Sequence, residues 1–338
     1  MKTKVLHVTN AFPTSATPEY GVFVKEQIES LDDNSFEHQI VFINGRDGGK
    51  RAYLDAVSIV RTHLDGVDVI HCHHVYSLFV AILAGAVVRK PVILSFLNDW
   101  TYEVKGLPFS WLRSLVCRLA VYASSLTIFK SPIPSAVLGR ADVVNLPNGV
   151  DEQRFSPLDR RGAKELLGLD LQSNYVIFVS SKNKFRKQKR YDIFSRTLAI
   201  VSERRPDLNV KELVMVGVSR EDVLPMFCAA SVHLLTSDYE GSPNSVKEAL
   251  CCGTPVVSRR VGNVAEMLES VVGGYVVDSD SEEILADVLI GCIENNADPS
   301  AVRCSFLAKG LTKSVIRSRL LGYYNMVLEG TGGRRGRI

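Results

Sequence analysis

The tightest constraint on this chain is the stretch from Val232 to Ser258, where an apolar strand, a short helix and a second apolar strand follow one another with little slack. Val232 to Thr236 reads as a buried strand. Ser242 and Pro243 carry helix-start chemistry, a hydroxyl cap followed by proline at the first helical position, and Val246, Ala249 and Leu250 then recur at helical spacing. Gly253 and Pro255 stop that helix before the strand Pro255 to Ser258. A helix that begins just past a strand's carboxyl end aims its unbonded N–H groups, here those of Ser242 to Ser245, at the space above the sheet, which makes a ready anion site. Two acids bracket it. Glu240 stands at its mouth, where complementing the helix dipole is worth only ~0.3–1 kcal/mol. Glu248 lies on the second turn, where capping has no use for an acid.

The same alternation of strand and helix runs through the whole chain. Strands are expected at Val5 to Val8, His38 to Asn44, Val67 to His71, Pro91 to Leu97, Leu126 to Lys130 and Val143 to Leu146. Helices fall between them at Val22 to Leu31, Leu54 to His63, Ser77 to Val88 and Phe109 to Ala123. The turn cluster Pro147-Asn148-Gly149-Val150-Asp151 closes this half, and the alternation restarts at the strand Tyr175 to Ser180. Repeated β-α units imply parallel, doubly wound sheets with ligands beyond the strand carboxyl ends. With 338 residues and 46% hydrophobic content, two such domains are expected. We place them at residues 1–150 and 151–315, with a last helix over 316–329 packing back toward the first domain and a glycine-arginine tail over 330–338.

Several function classes are disfavoured. The net charge of +3 is too modest for a dedicated nucleic-acid binder. Seven scattered cysteines show no zinc spacing and read as reduced, buried thiols, with no metal site expected. Met1 to Asn10 reads as a first strand rather than a secretory leader, and the longest apolar run, Leu78 to Val88, is shorter than the ~20 residues that span a bilayer. The expected location is cytoplasmic, at the inner membrane face if Lys105, Trp111, Arg113 and Arg118 line an interface rather than a packed helix.

Further candidates sit at strand ends. The run Lys182-Asn-Lys-Phe-Arg-Lys-Gln-Lys-Arg190 follows the strand that opens the second half, at the position where α/β sheets bind phosphates. Gly21 ends a long loop after the first strand; it is either a turn glycine or a place where a ligand approaches the backbone. His71, His73 and His74 lack a carboxylate or cysteine at ligand spacing, which favours hydrogen-bonding or acceptor-facing roles over metal. Asn98, Asp99, Trp100 and Tyr102 offer the polar and aromatic mix that holds hydroxylated ligands.

Together, Glu240-Gly-Ser-Pro-Asn-Ser-Val-Lys-Glu248 and the following Ala249-Leu-Cys-Cys-Gly-Thr-Pro-Val-Val257 resemble the signature of retaining glycosyltransferases of family 4, which have the GT-B fold. Pro147 to Asp151, Lys189-Arg190 and Val261-Gly-Asn-Val-Ala-Glu266 support the likeness. Phe12-Pro13 and Gly21 to Gln27 resemble members that build bacterial surface polysaccharides. The resemblance covers nearly the whole chain and is strongest from Leu213 to Glu266. It implies two Rossmann-like domains facing a central cleft. It further implies a sugar moved with retention from a UDP- or GDP-linked donor to a hydroxyl of a glycan or lipid-linked acceptor, with no metal and no other cofactor.

Carried over by residue, Glu240 would lie against the donor sugar and Glu248 would accept from the ribose. Lys189, with Lys182 or Arg186, would neutralise the diphosphate. Gly241, Ser242, Pro243, Asn244 and Ser245 would surround sugar and phosphates, Gly21 would let the first loop close over them, and His73, Asn98 and Asp99 would stand on the acceptor side. One departure is clear: Leu97 stands where many members have a histidine. Two other classes compete with this reading, a nucleotide-sugar-binding subunit without turnover and a nucleotide-sugar epimerase.

Overall fold

A computed structural model describes residues 2–17, 20–31, 35–98, 100–101, 103–180 and 183–332. The chain divides into two compact units, one from Gly149 to Ser314 and the other from the chain on either side of it.

The strands of the first unit are β1 (Thr3–Thr9), β2 (Phe36–Phe42), β3 (Val69–His73), β4 (Val92–Phe96), β5 (Leu126–Phe129) and β6 (Val143–Asn145). They form one parallel sheet in the order β2-β1-β3-β4-β5-β6. Its helices are α1 (Val22–Ser30), α2 (Gly45–His63), α3 (Val75–Leu83) and α4 (Ser110–Ala123). Period-two alternation gives the sheet two buried faces. Leu6, Val8, Ile70, Cys72, Leu94 and Phe96 pack with Val60, Leu78 and Val121 on one side. Val5, Val69, Ile93 and Ile128 pack on the other with Ile316, Leu320 and Tyr324.

The second unit holds α5 (Arg160–Leu166), β7 (Asn174–Ser180), α6 (Tyr191–Arg204), β8 (Val210–Val216), α7 (Val223–Ala229), β9 (Val232–Leu235), α8 (Asn244–Cys251), β10 (Val256–Arg259), α9 (Val264–Leu268), β11 (Gly274–Val277), α10 (Glu282–Asn295) and α11 (Pro299–Leu307). The last helix, α12 (Lys313–Gly332), supplies the three side chains packed on the first sheet. The second sheet is also parallel, in the order β11-β10-β9-β7-β8. β7 is first in sequence yet lies between β8 and β9, so the connections leave it toward opposite faces, and ligands bind at such a reversal, above the carboxyl ends.

Several local expectations are corrected. α8 starts at Asn244, with Pro243 as its N-cap at φ −66°, ψ 121° and no side-chain cap, so Ser242 lies outside the helix and does not cap it. α2 begins at Gly45, capped by Asn44, and is interrupted at Gly49, whose φ of 56° and ψ of −143° are not helical. α5 and α11 were not foreseen, although Asp159 and Asp298 each cap a first turn and Pro299 takes the proline-tolerant start of α11. α12 runs on to Gly332, so residues 330–332 are helical rather than tail. All seven cysteines are free; six are buried, while Cys304 is exposed, against the expectation that all were buried.

Candidate active site

Above the carboxyl ends of β7 and β8, against the N-terminus of α8, the second unit opens a cavity of about 340 Å³. Glu240, Glu248, Lys189, Arg186, Pro243, Asn244 and Ser245 line it, with Met215, Gly217 and Val218 at the end of β8. Seven residues named from separate sequence arguments therefore share one site.

Two loops build its wall. A short 3-10 turn, Lys187–Lys189, leads into Arg190, whose φ of 51° and ψ of 52° turn the chain into α6. This turn is stitched to the segment after β9: Thr236 Oγ1 donates to the carbonyl oxygens of Lys189 (2.9 Å) and Arg190 (3.1 Å). Asp238 N–H donates to Gln188 O (2.9 Å), and Gln188 Nε2 to Tyr239 O (2.7 Å). The result is that Lys189 Nζ donates to Glu240 Oε1 at 2.7 Å, and Ser237 Oγ donates to the same oxygen at 2.8 Å. Both charged side chains are largely buried, at 13% and 14% exposure.

The basic run is not uniformly a phosphate contact. Arg190 is spent on structure, pairing with Asp192 (2.9 Å) and Asp238 (3.0 Å); these carboxylates hold its guanidinium, and its pKa rises accordingly. Lys184 lies over the Tyr191 ring, 4.5 Å from its centroid. Arg186 and Lys189 remain on the cavity wall. Lys182 lies outside the described residues.

Beneath the α8 N-terminus sits a residue that no sequence motif singled out. His233, fully buried on β9, has Nδ1 3.0 Å from Ile177 O and Nε2 3.1 Å from Ser245 Oγ. A carbonyl only accepts, so Nδ1 carries the proton and Nε2 accepts from the Ser245 hydroxyl. Burial lowers the His233 pKa to about 4, which keeps this neutral tautomer at ordinary pH. The imidazole thus fastens the first turn of α8 to β7.

A second clamp comes from the loop before α9. Gly262 has φ +52°, and a Cβ there would lie 2.2 Å from Gly241 O, a distance no side chain tolerates. Asn263 N–H donates to that same oxygen at 3.1 Å. Two polar atoms beside this loop, Ser242 Oγ and Asn263 Oδ1, are buried without a hydrogen-bond partner.

The remaining candidate residues lie in the first unit. Gly21 caps α1 with φ +74°, and a Cβ there would meet the Ala11 carbonyl carbon at 2.3 Å; the loop's own backbone fills the space that a ligand would need. His73 is fully buried and faces no solvent, bonded to His7 (Nδ1 to His73 Nε2, 3.0 Å) and stacked on His71 at 4.1 Å. One ring nitrogen from each of His7, His71 and His73 lies within 4.8 Å of the other two. Asn98 is exposed past β4, and Asp99 lies outside the described residues. What organises this strand end is Glu103, also unforeseen: its buried carboxylate accepts from the N–H groups of Leu97 (2.5 Å), Asn98 (3.3 Å) and Val75 (3.1 Å). An isolated Glu in a loop gives no sequence signal for this.

Comparisons with known proteins match a part of the second unit in one case and nearly the whole chain in others. Residues 183–295 match the family model described as glycosyl transferases group 1. A D-inositol 3-phosphate glycosyltransferase of Mycolicibacterium vanbaalenii is 25% identical over 376 aligned positions, covering 94% of this chain and 79% of that one. The corresponding protein of Mycobacterium sp. (strain KMS) is 30% identical over a shorter match, 48% of this chain and 41% of its own length. Among solved structures, the sucrose-phosphate synthase of Thermosynechococcus elongatus superposes with a TM-score of 0.73 at 15% identity, covering 97% of this chain and 100% of that one. Anabaena HepE in complex with UDP gives 0.72 at 18% identity, covering 96% and 100%. The fold is GT-B, and the match to the glycosyl transferases group 1 model lies within the second unit.

Proposed function

We propose that this chain, a group 1 glycosyltransferase, moves a sugar with retention of anomeric configuration from a UDP- or GDP-linked donor to a hydroxyl of a glycan or lipid-linked acceptor in surface-polysaccharide assembly. One observation carries the reading: Glu240, held by Lys189 and Ser237, and Glu248 flank the N-terminus of α8 in one cavity.

In this reading the diphosphate lies at the N-terminus of α8, where the N–H groups of Asn244 and Ser245 and the helix dipole favour negative charge. Lys189 spends one of its three donors on Glu240 and turns the others to the phosphates, with Arg186 beside it. Glu248 accepts from the ribose, and the base lies toward Gly217 and Val218. As the bond from the anomeric carbon to the phosphate oxygen breaks, its electron pair leaves with the diphosphate. The acceptor oxygen bonds to the anomeric carbon on the same face and passes its proton to the departing phosphate. The developing charge is met by fixed donors rather than by a metal.

Purified protein is incubated with a panel of UDP- and GDP-sugars, each with a membrane lipid extract, free glycans or inositol phosphates, the last because of the D-inositol 3-phosphate glycosyltransferase relatives. Nucleoside diphosphate released together with a new glycoside of retained configuration, insensitive to EDTA, is the expected result. Donor binding without turnover supports the non-catalytic subunit instead, and sugar interconversion without an acceptor supports the epimerase.

A further inference from the structure

α4 is apolar on both of its sides. Cys117, Ala120 and Val121 are buried against the first sheet. Beyond Ser110 at its start, the exposed residues of the helix are Trp111, Leu115, Arg118, Leu119 and Tyr122, which recur every three or four residues and so share one outward face. Trp111 is 63% exposed, Leu119 56% and Tyr122 61%, and Phe109 just before the helix is 56% exposed. A helix that is hydrophobic all round belongs in a core or against a second apolar phase. Here only one side has a core.

Charge indicates what meets the other side. No Asp or Glu occurs between Glu103 and Asp142, a stretch whose cations outside the core are Lys105, Arg113, Arg118 and Arg140, Lys130 being buried. Arg118 stands within the apolar stripe, and Arg140 lies over the Tyr122 ring, 4.3 Å from its centroid, while also pairing with Asp142. A protein partner with a purely apolar face would leave the charge of Arg118 uncompensated. An anionic lipid surface takes both parts: aromatic and aliphatic side chains enter the headgroup boundary, while arginines stay with the phosphates. At 14 residues α4 is ~21 Å long, too short to span. No described helix is long and apolar enough to cross a membrane, so the contact is with its surface.

We infer that the outward face of α4 is a docking surface for an anionic lipid bilayer, with Trp111, Leu115, Leu119 and Tyr122 inserted at the interface and Arg118 on the lipid phosphates. This deepens the lipid-linked acceptor of the proposed function but does not depend on the donor chemistry.

The chain carries its own probe. Of its two tryptophans, Trp100 is only 9% exposed, so a change in emission on adding vesicles reports Trp111. Vesicles of phosphatidylcholine with phosphatidylglycerol should shift the emission to the blue and float the full chain at least about tenfold more than phosphatidylcholine alone, an excess that salt screens away. The double variant Leu115→Ser/Leu119→Ser and the single variant Arg118→Glu, both at exposed positions and outside the donor cavity, should each lose about tenfold of the flotation while circular dichroism and donor binding stay as in the parent. Equal partitioning to both vesicle types, or flotation that neither variant reduces, overturns the inference. So does a dimer broken by the same substitutions in a protein that does not float, which would assign the face to a second copy. Donor turnover on a soluble acceptor, measured without vesicles, fails only if the proposed function itself fails.

Discussion

Lys189 Nζ and Glu240 Oε1 are 2.7 Å apart, and the same carboxylate oxygen accepts from Ser237 Oγ at 2.8 Å. Glu240 is thereby fixed at the edge of the cavity with its charge already matched. A site built this way meets a diphosphate with a lysine whose position is set before the ligand arrives, so little reorganisation is left for the reaction.

Glu240→Gln keeps the shape and an oxygen for Ser237 but removes the negative charge from Lys189. Transfer should fall by about 10²–10³-fold, the loss typical of one preorganised electrostatic group, while donor affinity measured by calorimetry changes much less. Lys189→Ala should lose donor affinity as well as rate. It should also cost about 1–3 kcal/mol in denaturant unfolding, because a part-buried carboxylate loses a charged partner. Unchanged turnover in Glu240→Gln would remove that residue from the chemistry.

The strands and most helices were legible because burial on both faces of a parallel sheet forces short β-branched runs such as Val5 to Val8 and Val256 to Ser258, punctuated by glycine and proline. That Glu240, Glu248 and the helix start share one cavity was legible too, since they lie within one short stretch. What could not be read was pairing at long sequence separation. Nothing local shows that Thr236 holds the 3-10 turn at Lys189, that Arg190 is consumed by Asp238, or that Glu103 accepts from the N–H group of Val75. The helix start was misread by one residue because proline satisfies both the cap and the first helical position, and only backbone angles separate the two.

The His233 bridge predicts a defect at a distance. His233→Phe leaves Ser245 Oγ and Ile177 O without their partner under the first turn of α8. Stability should fall by about 1–3 kcal/mol, and the donor KM should rise with a smaller change in kcat. Ser245→Ala removes one bond and should cost about 0.5–1.5 kcal/mol. Paired unfolding curves and donor titrations check both, and an undisturbed His233→Phe would deny the bridge any part in holding the helix.

Stability should depend on mild acid. Burial lowers the pKa of His73 to about 3 and that of His233 to about 4, and pushes those of His7 and His71 well down. Lys130 adds to the effect at His73. Each folded-state value lies below the unfolded 6.5, so as pH falls the unfolded chain takes up protons first. The stabilisation is complete above pH ~6.5 and is lost as pH drops from there toward ~3, at up to about 1.4 kcal/mol per pH unit for each histidine. Urea unfolding at about pH 7.5 and about pH 5 should show the decline, and His73→Asn should flatten it. A midpoint constant across that range would show that these rings are not held neutral by the fold.

Gly262 tests whether the loop before α9 shapes the cavity or only passes it. At φ +52°, with the Gly241 carbonyl oxygen 2.2 Å from where an added Cβ would lie, Gly262→Ala must displace the Glu240–Gly241 backbone or the Val261 to Asn263 loop. Strain of about 1–3 kcal/mol is expected from the backbone conformation, and the collision adds to it. Gly168→Ala, outside the cavity, offers the contrast, for its φ of +64° is similar but no atom lies within 4 Å of the added carbon. Both variants should lose comparable conformational stability from φ, yet only Gly262→Ala should lose transfer by an order of magnitude or more in protein that remains folded, because only there does the displaced backbone carry Glu240. Equal activity in the two variants would separate the loop from the carboxylate and leave Lys189 and Ser237 as its sole positioning contacts.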